Sequence, residues 1–211
     1  MHQKPFINIH IWAIIATVCP FLLMIILFVV APYVPDYDSG KSLISVLSLG
    51  QFGWLGSALF ILSAIIVVAF GKGISCVIPL DKKARTAIAL LNLAAVCLLL
   101  LVFIKLDNVN GVWTFERVTH WFITFAVVGF LVVSCFIISD SLKKDAEWKG
   151  IYVLAIVIAV ITIAVSIAML LTVHSGFGGG FERLMVVSGV VWEEAVSIRM
   201  YRLSSGAEKA L

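Results

Sequence analysis

Five predominantly apolar stretches constrain this chain more than any other feature of its sequence. They cover residues 11–33, 52–70, 87–104, 121–138 and 151–173. An α-helix needs roughly 20 such residues to cross the hydrocarbon core of a bilayer. In that core each backbone N–H and C=O must be satisfied within the helix, and solid apolar runs lack the alternation of a barrel strand. We therefore predict that each run is a transmembrane helix.

The composition agrees with a lipid environment. Only 13% of the 211 residues are charged and 62% are hydrophobic, whereas a typical soluble domain carries about 25% charged residues. Too few polar groups remain to cover a surface in water. The connections between the runs are short, so we predict one transmembrane domain over residues 1–211. Nothing in the modest net charge of +3 indicates nucleic-acid binding.

A sixth apolar segment, residues 181–201, is interrupted by two glutamates. Charge bias helps to decide whether it spans, because short cytoplasmic loops collect Lys and Arg. With six spans and both termini in the cytoplasm, eleven basic residues lie on the inner side and four on the outer side. With five spans, the three basic residues nearest the C-terminus would weaken this bias. We predict an all-α bundle of six transmembrane helices with cytoplasmic N and C termini, in the cell membrane.

Polar residues that the membrane does not require collect in the predicted outer loops and at the helix ends beside them. The candidate binding residues there are Asp36, Asp38, Glu116, His120, His174, Glu182 and Arg183. Glu116 and His120 are four residues apart, which places them on one face of a helix. These charges either neutralise one another at the headgroup level or form a polar outer pocket, in which Arg183 would keep Glu182 ionised.

The sequence "HSGFGGGFER" leads into the sixth segment and places a glycine cluster next to Glu182 and Arg183. No GK[ST] follows the glycines, so they do not form a nucleotide-binding loop of the ordinary kind. Glycines before a helix N-terminus can let the backbone approach an anion such as a phospholipid headgroup. A flexible hinge explains the same composition, and both interpretations stay open.

A zinc site would use His120 and His174 with Asp36 or Asp38, because imidazole and carboxylate groups are suitable zinc ligands. The two histidines lie in separate segments without a recognised spacing. We predict no cofactor and keep zinc as the alternative.

Within the predicted spans, we single out Asn92, Glu193 and Glu194 as candidate intramembrane polar residues. A carboxylate at the centre of a span costs roughly 2.5 to 3.5 kcal/mol on insertion scales, which makes it a candidate functional residue. Glu182 and Glu193 are eleven residues apart, so they share a helix face at about 16 Å along the axis. A hydrogen bond from Asn92 could satisfy Glu193. Alternatively, both intramembrane glutamates reach the inner headgroup region.

The order of three segments resembles a known family. They are "YDSGKSLISVLSLGQFGWLGSALFILSAIIVVAFGKGI", "GGGFERLMVVSGVVW" and the basic end "IRMYRL". Over about residues 33–203 the chain is similar to the six-helix membrane family catalogued as domain of unknown function 998. The resemblance implies that the recurrent polar positions here are Ser45, Ser48, His120, Glu182 and Arg183. It implies a shared outer polar site and no established activity.

We predict a multi-pass membrane protein that binds a lipid, another amphiphile or a partner subunit at its outward-facing polar pocket. Its expected partners are membrane lipids and a membrane protein or a second copy of the chain. A metal-dependent intramembrane hydrolase is the first alternative, so the sequence leaves open whether the chain is an enzyme, although it favours a binding protein. A proton-coupled transporter that uses Glu193 and Glu194 is the second alternative.

Overall fold

The computed structural model describes residues 6–107, 114–143, 148–172 and 176–208. Within these ranges the regular structure is entirely helical, which confirms the predicted all-α class. The long helices are α1 (Phe6–Ile25), α2 (Gly53–Val77), α3 (Lys82–Phe103), α4 (Phe115–Leu142), α5 (Lys149–Thr172) and α6 (Gly178–Glu208). Helices α2 to α6 each contain one of the predicted segments apart from at most one terminal residue, whereas α1 ends at Ile25, eight residues before the end of the first segment.

Several helices extend beyond the apolar stretch that predicted them, because polar residues cap them. The Asp81 side chain accepts a hydrogen bond from the backbone N–H of Ala84 at 2.8 Å and caps α3. The Thr114 hydroxyl does the same for Arg117 at 3.2 Å at the start of α4. Such caps satisfy N–H groups that have no partner inside the helix. The membrane-crossing helices therefore begin in the more polar region next to the apolar core.

After α1, the chain continues as a π-helical turn over Ile26–Val30 and a 3₁₀ turn over Ala31–Tyr33. A second 3₁₀ helix, Ile44–Ser48, lies between α1 and α2. We call it the loop helix, and we call residues 34–52 the first loop. The loop helix packs against the bundle, where Ile44 and Leu47 are buried.

Consecutive helices run in opposite directions. The rings of His10 near the start of α1 and Tyr201 near the end of α6 lie 4.9 Å apart. On α5 and α6, the hydroxyl oxygens of Thr162 and Ser188 lie 2.8 Å apart. The first loop, the end of α3 and the starts of α4 and α6 therefore gather at one end of the bundle, which we call the loop end. We call the opposite end, with the start of α1, the terminal end.

Two buried clusters hold the helices together. The larger includes Phe70 on α2 and Trp192 on α6, whose rings meet edge to face at 4.8 Å. The smaller lies at the loop end, where Leu27 and Leu59 pack against the loop helix. Outward-facing side chains along the helices are largely apolar and exposed, as expected where lipid replaces water.

Five stretches have the length and composition of membrane spans. They are Ile9–Tyr33, Gly53–Val77, Lys82–Phe103, Phe115–Leu142 and Gly150–Thr172. The chain is therefore an integral membrane protein. Helix α6 is long enough to span, but its composition is less apolar than that of these five stretches, because Glu193 and Glu194 interrupt its apolar residues. The number of spans and the side on which the termini lie stay predictions.

Candidate functional site

Helix α6 begins in direct contact with the first loop. The backbone N–H of Gly179 donates to the carbonyl oxygen of Lys41 at 3.2 Å. A Cβ atom on Gly179 would lie 2.9 Å from the carbonyl carbon of Lys41 and 2.7 Å from that of Ser42, well inside van der Waals contact. The neighbouring Gly180 has ordinary space, since its nearest such atom is 3.8 Å away. Gly179 thus serves close packing of helix and loop.

The Glu182 side chain is 8% exposed and points into the first loop. It accepts hydrogen bonds from the backbone N–H groups of Ile44 and Ser45. These are the first amides of the loop helix, which have no acceptor inside their own helix. A carboxylate near a helix N-terminus is also favoured by the helix dipole. Glu182 therefore caps a helix that lies 138 residues away in the sequence.

Arg183 is 7% exposed and holds the same loop from the other side. Its guanidinium donates to the carbonyl oxygen of Ser42 at 3.1 Å and to that of Gly179 at 2.9 Å. It also donates to the hydroxyl of Tyr37 and lies over that ring at 5.5 Å from the centroid. No ion pair joins Arg183 to Glu182 in the part of the chain described. The predicted Glu182–Arg183 pair is not formed as a direct contact, because backbone groups of the loop bind both side chains.

Tyr37 completes this set, although no pattern in the sequence singled it out. Its hydroxyl donates to the carbonyl oxygen of Leu43 at 3.3 Å or to that of Ser42 at 3.4 Å. Burial raises the pKa of Tyr37 to about 12, so the hydroxyl keeps its proton at physiological pH. We call Tyr37, Gly179, Glu182 and Arg183 the loop clamp.

The two serines implied by the resemblance lie in the loop helix and are buried. The Ser48 hydroxyl donates to the carbonyl oxygen of Ser45 at 2.6 Å. Ser48 packs on α2 so closely that a Cβ atom on Gly56 would lie 2.6 Å from its Cα atom. Ser48 therefore holds the loop helix directly against α2.

Three predicted pocket residues lie on the surface. Asp36 is exposed and adopts a left-handed backbone conformation with φ of 61°. Asp38 is exposed and binds the N–H of Gly40 at 2.9 Å, a hydrogen bond that lowers the pKa of its carboxyl. Glu116 is also exposed. None of the three lines the cavity described below. Another predicted pocket residue, His174, lies outside the described residues.

His120 is only 3% exposed and faces inward from α4. Its Nδ1 lies 2.7 Å from the carbonyl oxygen of Ile104, to which it donates. In the neutral ring this leaves Nε2 as an acceptor. The Phe60 ring meets the imidazole edge to face at 6.3 Å. His120 is therefore held by the end of α3, and the predicted pairing with Glu116 is not formed.

No three His, Cys, Asp or Glu side chains lie close enough to hold a metal ion in the parts of the chain that the structure describes. Asp36 lies on the surface of the first loop and His120 inside the bundle, so these two candidate ligands are not brought together. The predicted zinc set also includes His174, which is outside the described residues.

Below the loop clamp, the six helices and the loop helix surround a cavity of about 170 Å³. Ile44 and Ser45 of the loop helix line its loop end together with His120 and Glu182. Its walls are chiefly aliphatic. The side chains that form them include Leu23, Leu27, Leu59, Ile66, Val67, Leu98, Leu101, Val127, Val128, Leu131, Val132, Ile158, Val186 and Val190.

The far end of the cavity lies toward the terminal end of the bundle. Trp192 and Glu193 of α6 and Cys135 of α4 line it there. Gly189 also lines the cavity, and a Cβ atom added to it would meet nothing within 4 Å. Glu182, Gly189 and Glu193 thus lie along one face of α6, as their spacing predicts, with about 16 Å between the two glutamates.

The intramembrane polar residues do not meet as predicted. Asn92 is exposed on the outside of α3, whereas Glu193 is 6% exposed and faces the cavity. The expected hydrogen bond between them was therefore wrong. Both carboxyl oxygens of Glu194 are buried without a hydrogen-bond partner, and Glu194 does not line the cavity.

Comparisons with known proteins give one match. No curated protein and no solved structure matches the chain. Residues 17–199 match the family model described as protein of unknown function (DUF998). The match begins in α1 and ends in α6, and it therefore includes the loop clamp and every wall of the cavity. The chain belongs to the DUF998 family.

Proposed function

We propose that this membrane protein binds an amphiphile whose hydrocarbon arm occupies the cavity inside the helix bundle. The observation that carries this proposal is the cavity itself, with aliphatic walls from six helices and ionisable side chains at its two ends. An apolar cavity of about 150 Å³ in another protein stays dry and binds benzene. The volume here therefore supports a slender hydrocarbon group.

The loop clamp supports a binding role for the cavity and a structural role for the predicted outer pocket. Glu182 and Arg183 already have backbone partners in the first loop. They hold Ile44 and Ser45 over the loop end of the cavity. In this proposal the clamp keeps the cavity walls in place, and the ligand contacts the walls.

We also propose that α6 is a sixth span and that both termini lie in the cytoplasm. The 31 residues of α6 give a helix about 46 Å long, enough to cross a hydrocarbon core of about 30 Å. Glu193 faces the cavity and Glu182 faces the loop, so neither carboxyl contacts lipid. Burial of charged groups inside the protein is what a spanning helix with this composition requires.

A single substitution tests the binding proposal. Gly189→Leu places an isobutyl group in the cavity, where a Cβ atom meets no other atom within 4 Å. Gly129→Leu is the matched control, because Gly129 is exposed on α4, away from the cavity, and has equal space. Both changes replace glycine by a better helix former.

Protein purified in a mild detergent is extracted with organic solvent, and the extract is analysed by mass spectrometry. We expect wild type and Gly129→Leu to retain the same amphiphile in stoichiometric amount and Gly189→Leu to lose at least nine-tenths of it, roughly the tenfold change that about 1.4 kcal/mol produces. Equal retention by Gly189→Leu and wild type, or no retained amphiphile in wild type, would falsify the proposal.

A further inference from the structure

At the terminal end of the cavity, Glu193 has an unusual environment for a buried carboxyl group. It is 6% exposed and lines the cavity. Among the described residues, none donates a hydrogen bond to it. The nearby Cys135 thiol is not available, since it donates to the carbonyl oxygen of Ala155 at 3.4 Å. A buried carboxyl without a donor is costly, whether or not it carries its proton.

The neighbouring Trp192 gives a second, independent observation. It is 3% exposed, and its indole Nε1–H has no acceptor among the described residues. Its ring packs against Phe70, which supplies no acceptor of the ordinary kind. A buried indole N–H usually has a hydrogen-bond partner. The Glu193 carboxyl at this end of the cavity, and the indole N–H beside it, therefore have no hydrogen-bond partner among the described residues.

Three other polar side chains that line the cavity differ from these two. The Ser63 hydroxyl donates to the carbonyl oxygen of Leu59 at 2.8 Å, and the Thr124 hydroxyl donates to that of His120 at 2.9 Å. Thr162 pairs with Ser188 on α6. Their hydrogen-bonding capacity is used within the bundle. At the terminal end of the cavity, a polar ligand group therefore finds an unsatisfied partner in Glu193.

We propose that the ligand enters with its polar end toward Glu193 and that this end is a hydrogen-bond donor, a hydroxyl or a protonated amine, at the tip of an unbranched hydrocarbon arm. This inference rests on the proposed function, because it names the ligand class of the same cavity. No Lys or Arg lines the cavity among the described residues. A carboxylate or phosphate end would therefore meet the Glu193 carboxyl without a compensating cation.

Four probes of equal chain length test the inference, namely decane, 1-decanol, decylamine and decanoate. Each is titrated into the delipidated full-length protein in detergent, and bound probe is measured by native mass spectrometry. We expect 1-decanol and decylamine to bind about tenfold more tightly than decane, as hydrogen bonds to an ionisable group predict. Decanoate should bind more weakly than decane. A stronger response to decylamine than to 1-decanol identifies a cationic head, and the reverse identifies a hydroxyl.

Three variants locate the effect. Glu193→Leu should abolish the preference of both polar probes over decane. Glu193→Gln keeps an acceptor and cannot ionise, so it should retain the preference for 1-decanol and lose that for decylamine. Glu194→Gln is the matched control beside it and should behave like wild type, because Glu194 does not line the cavity.

The outcomes separate this inference from the proposed function. If wild type binds none of the probes, the proposed function fails. If it binds decane as tightly as the polar probes, or decanoate most tightly, the cavity binds amphiphiles but the assignment of the polar end is overturned. Unchanged selectivity in Glu193→Leu overturns it as well. The ranking of the four probes on wild type decides the question even if that variant does not fold.

Discussion

Glu182 and Glu193 lie at opposite ends of one cavity, on the same face of α6, and each is more than nine-tenths buried. Their surroundings differ. Glu182 accepts hydrogen bonds from two backbone N–H groups of the loop helix, whereas Glu193 accepts no hydrogen bond from any described residue. Two carboxyl groups that look equivalent in the sequence therefore differ in the structure: the first loop satisfies one, and the other lines the cavity without a donor from any described residue.

The difference shows that burial alone does not identify a functional carboxyl group. What separates the two glutamates is whether the protein supplies their hydrogen-bond donors. A satisfied buried group stabilises the fold, and an unsatisfied one is retained at a cost in stability. The predictions below test this contrast.

The largest expected effect concerns the two ends of the bundle, which the proposed topology places on opposite sides of the membrane. In a cysteine-free protein, Lys41→Cys places a thiol in the first loop and Lys82→Cys places one at the start of α3; both lysines are exposed. A membrane-impermeant maleimide added to intact cells should label Lys41→Cys fully and Lys82→Cys only after permeabilisation. Labelling of both before permeabilisation, or of Lys82→Cys alone, contradicts the proposed topology.

The loop end should be sensitive to a single methyl group. Gly179→Ala forces a Cβ atom against the backbone of Ser42, so we expect a loss of about 3 kcal/mol, within the usual range for overpacking. Gly180→Ala is the control from the same glycine run, and its stability should change by less than about 0.5 kcal/mol. Thermal unfolding in detergent measures both. Equal melting temperatures for the two variants would mean that the loop does not need Gly179.

The two glutamates should respond differently to the same truncation. Glu182→Ala leaves two buried N–H groups of the loop helix without an acceptor, and we expect a loss of about 2 kcal/mol, or roughly 4–8 °C in melting temperature. Glu193→Ala removes a buried carboxyl group that no described residue satisfies, so we expect the stability to stay equal or to rise by up to about 1 kcal/mol. If Glu193→Ala proves the more harmful of the two, Glu193 is a structural residue and the contrast is lost.

The smallest effect concerns Tyr37. Tyr37→Phe removes one acceptor from Arg183 and should cost about 1 kcal/mol at neutral pH. Because burial raises the pKa of folded Tyr37 from 10.0 to about 12, the unfolded state loses this proton first as the pH rises. The wild-type contribution is therefore complete below pH 10 and disappears as the pH approaches 12. Denaturation between pH 9 and 12 should show a shallower decline for Tyr37→Phe than for wild type, and identical slopes would contradict the assignment.

The apolar runs predict the helices well because a membrane span leaves no alternative to a helix. The ends of the helices were less predictable. Asp81 and Thr114 extend α3 and α4 through single capping hydrogen bonds, which lie outside the apolar windows. The sixth helix was predicted from charge bias, although its own composition is less apolar than that of the other five.

The candidate site was predicted only in part, for two physical reasons. Glu182 and Arg183 bind backbone atoms of the first loop, and backbone acceptors and donors leave no side-chain pattern in the sequence. The position of a residue along a helix also does not fix the direction in which its side chain points. The predicted hydrogen bond to Glu193 required Asn92 to face the interior of the bundle, but α3 turns its neighbour Leu91 into the core and Asn92 away from it.

The long separation between the partners in the loop clamp sets an order of events during biosynthesis. Ile44 leaves the ribosome 138 residues before Glu182, a delay of about 7–28 s at ordinary translation rates. For that time the loop helix has neither its cap nor the arginine that holds Ser42 and Tyr37. Helix α6, which is made well after the first loop, is thus the one that closes it, so a nascent chain arrested before α6 would present that loop to proteases and chaperones.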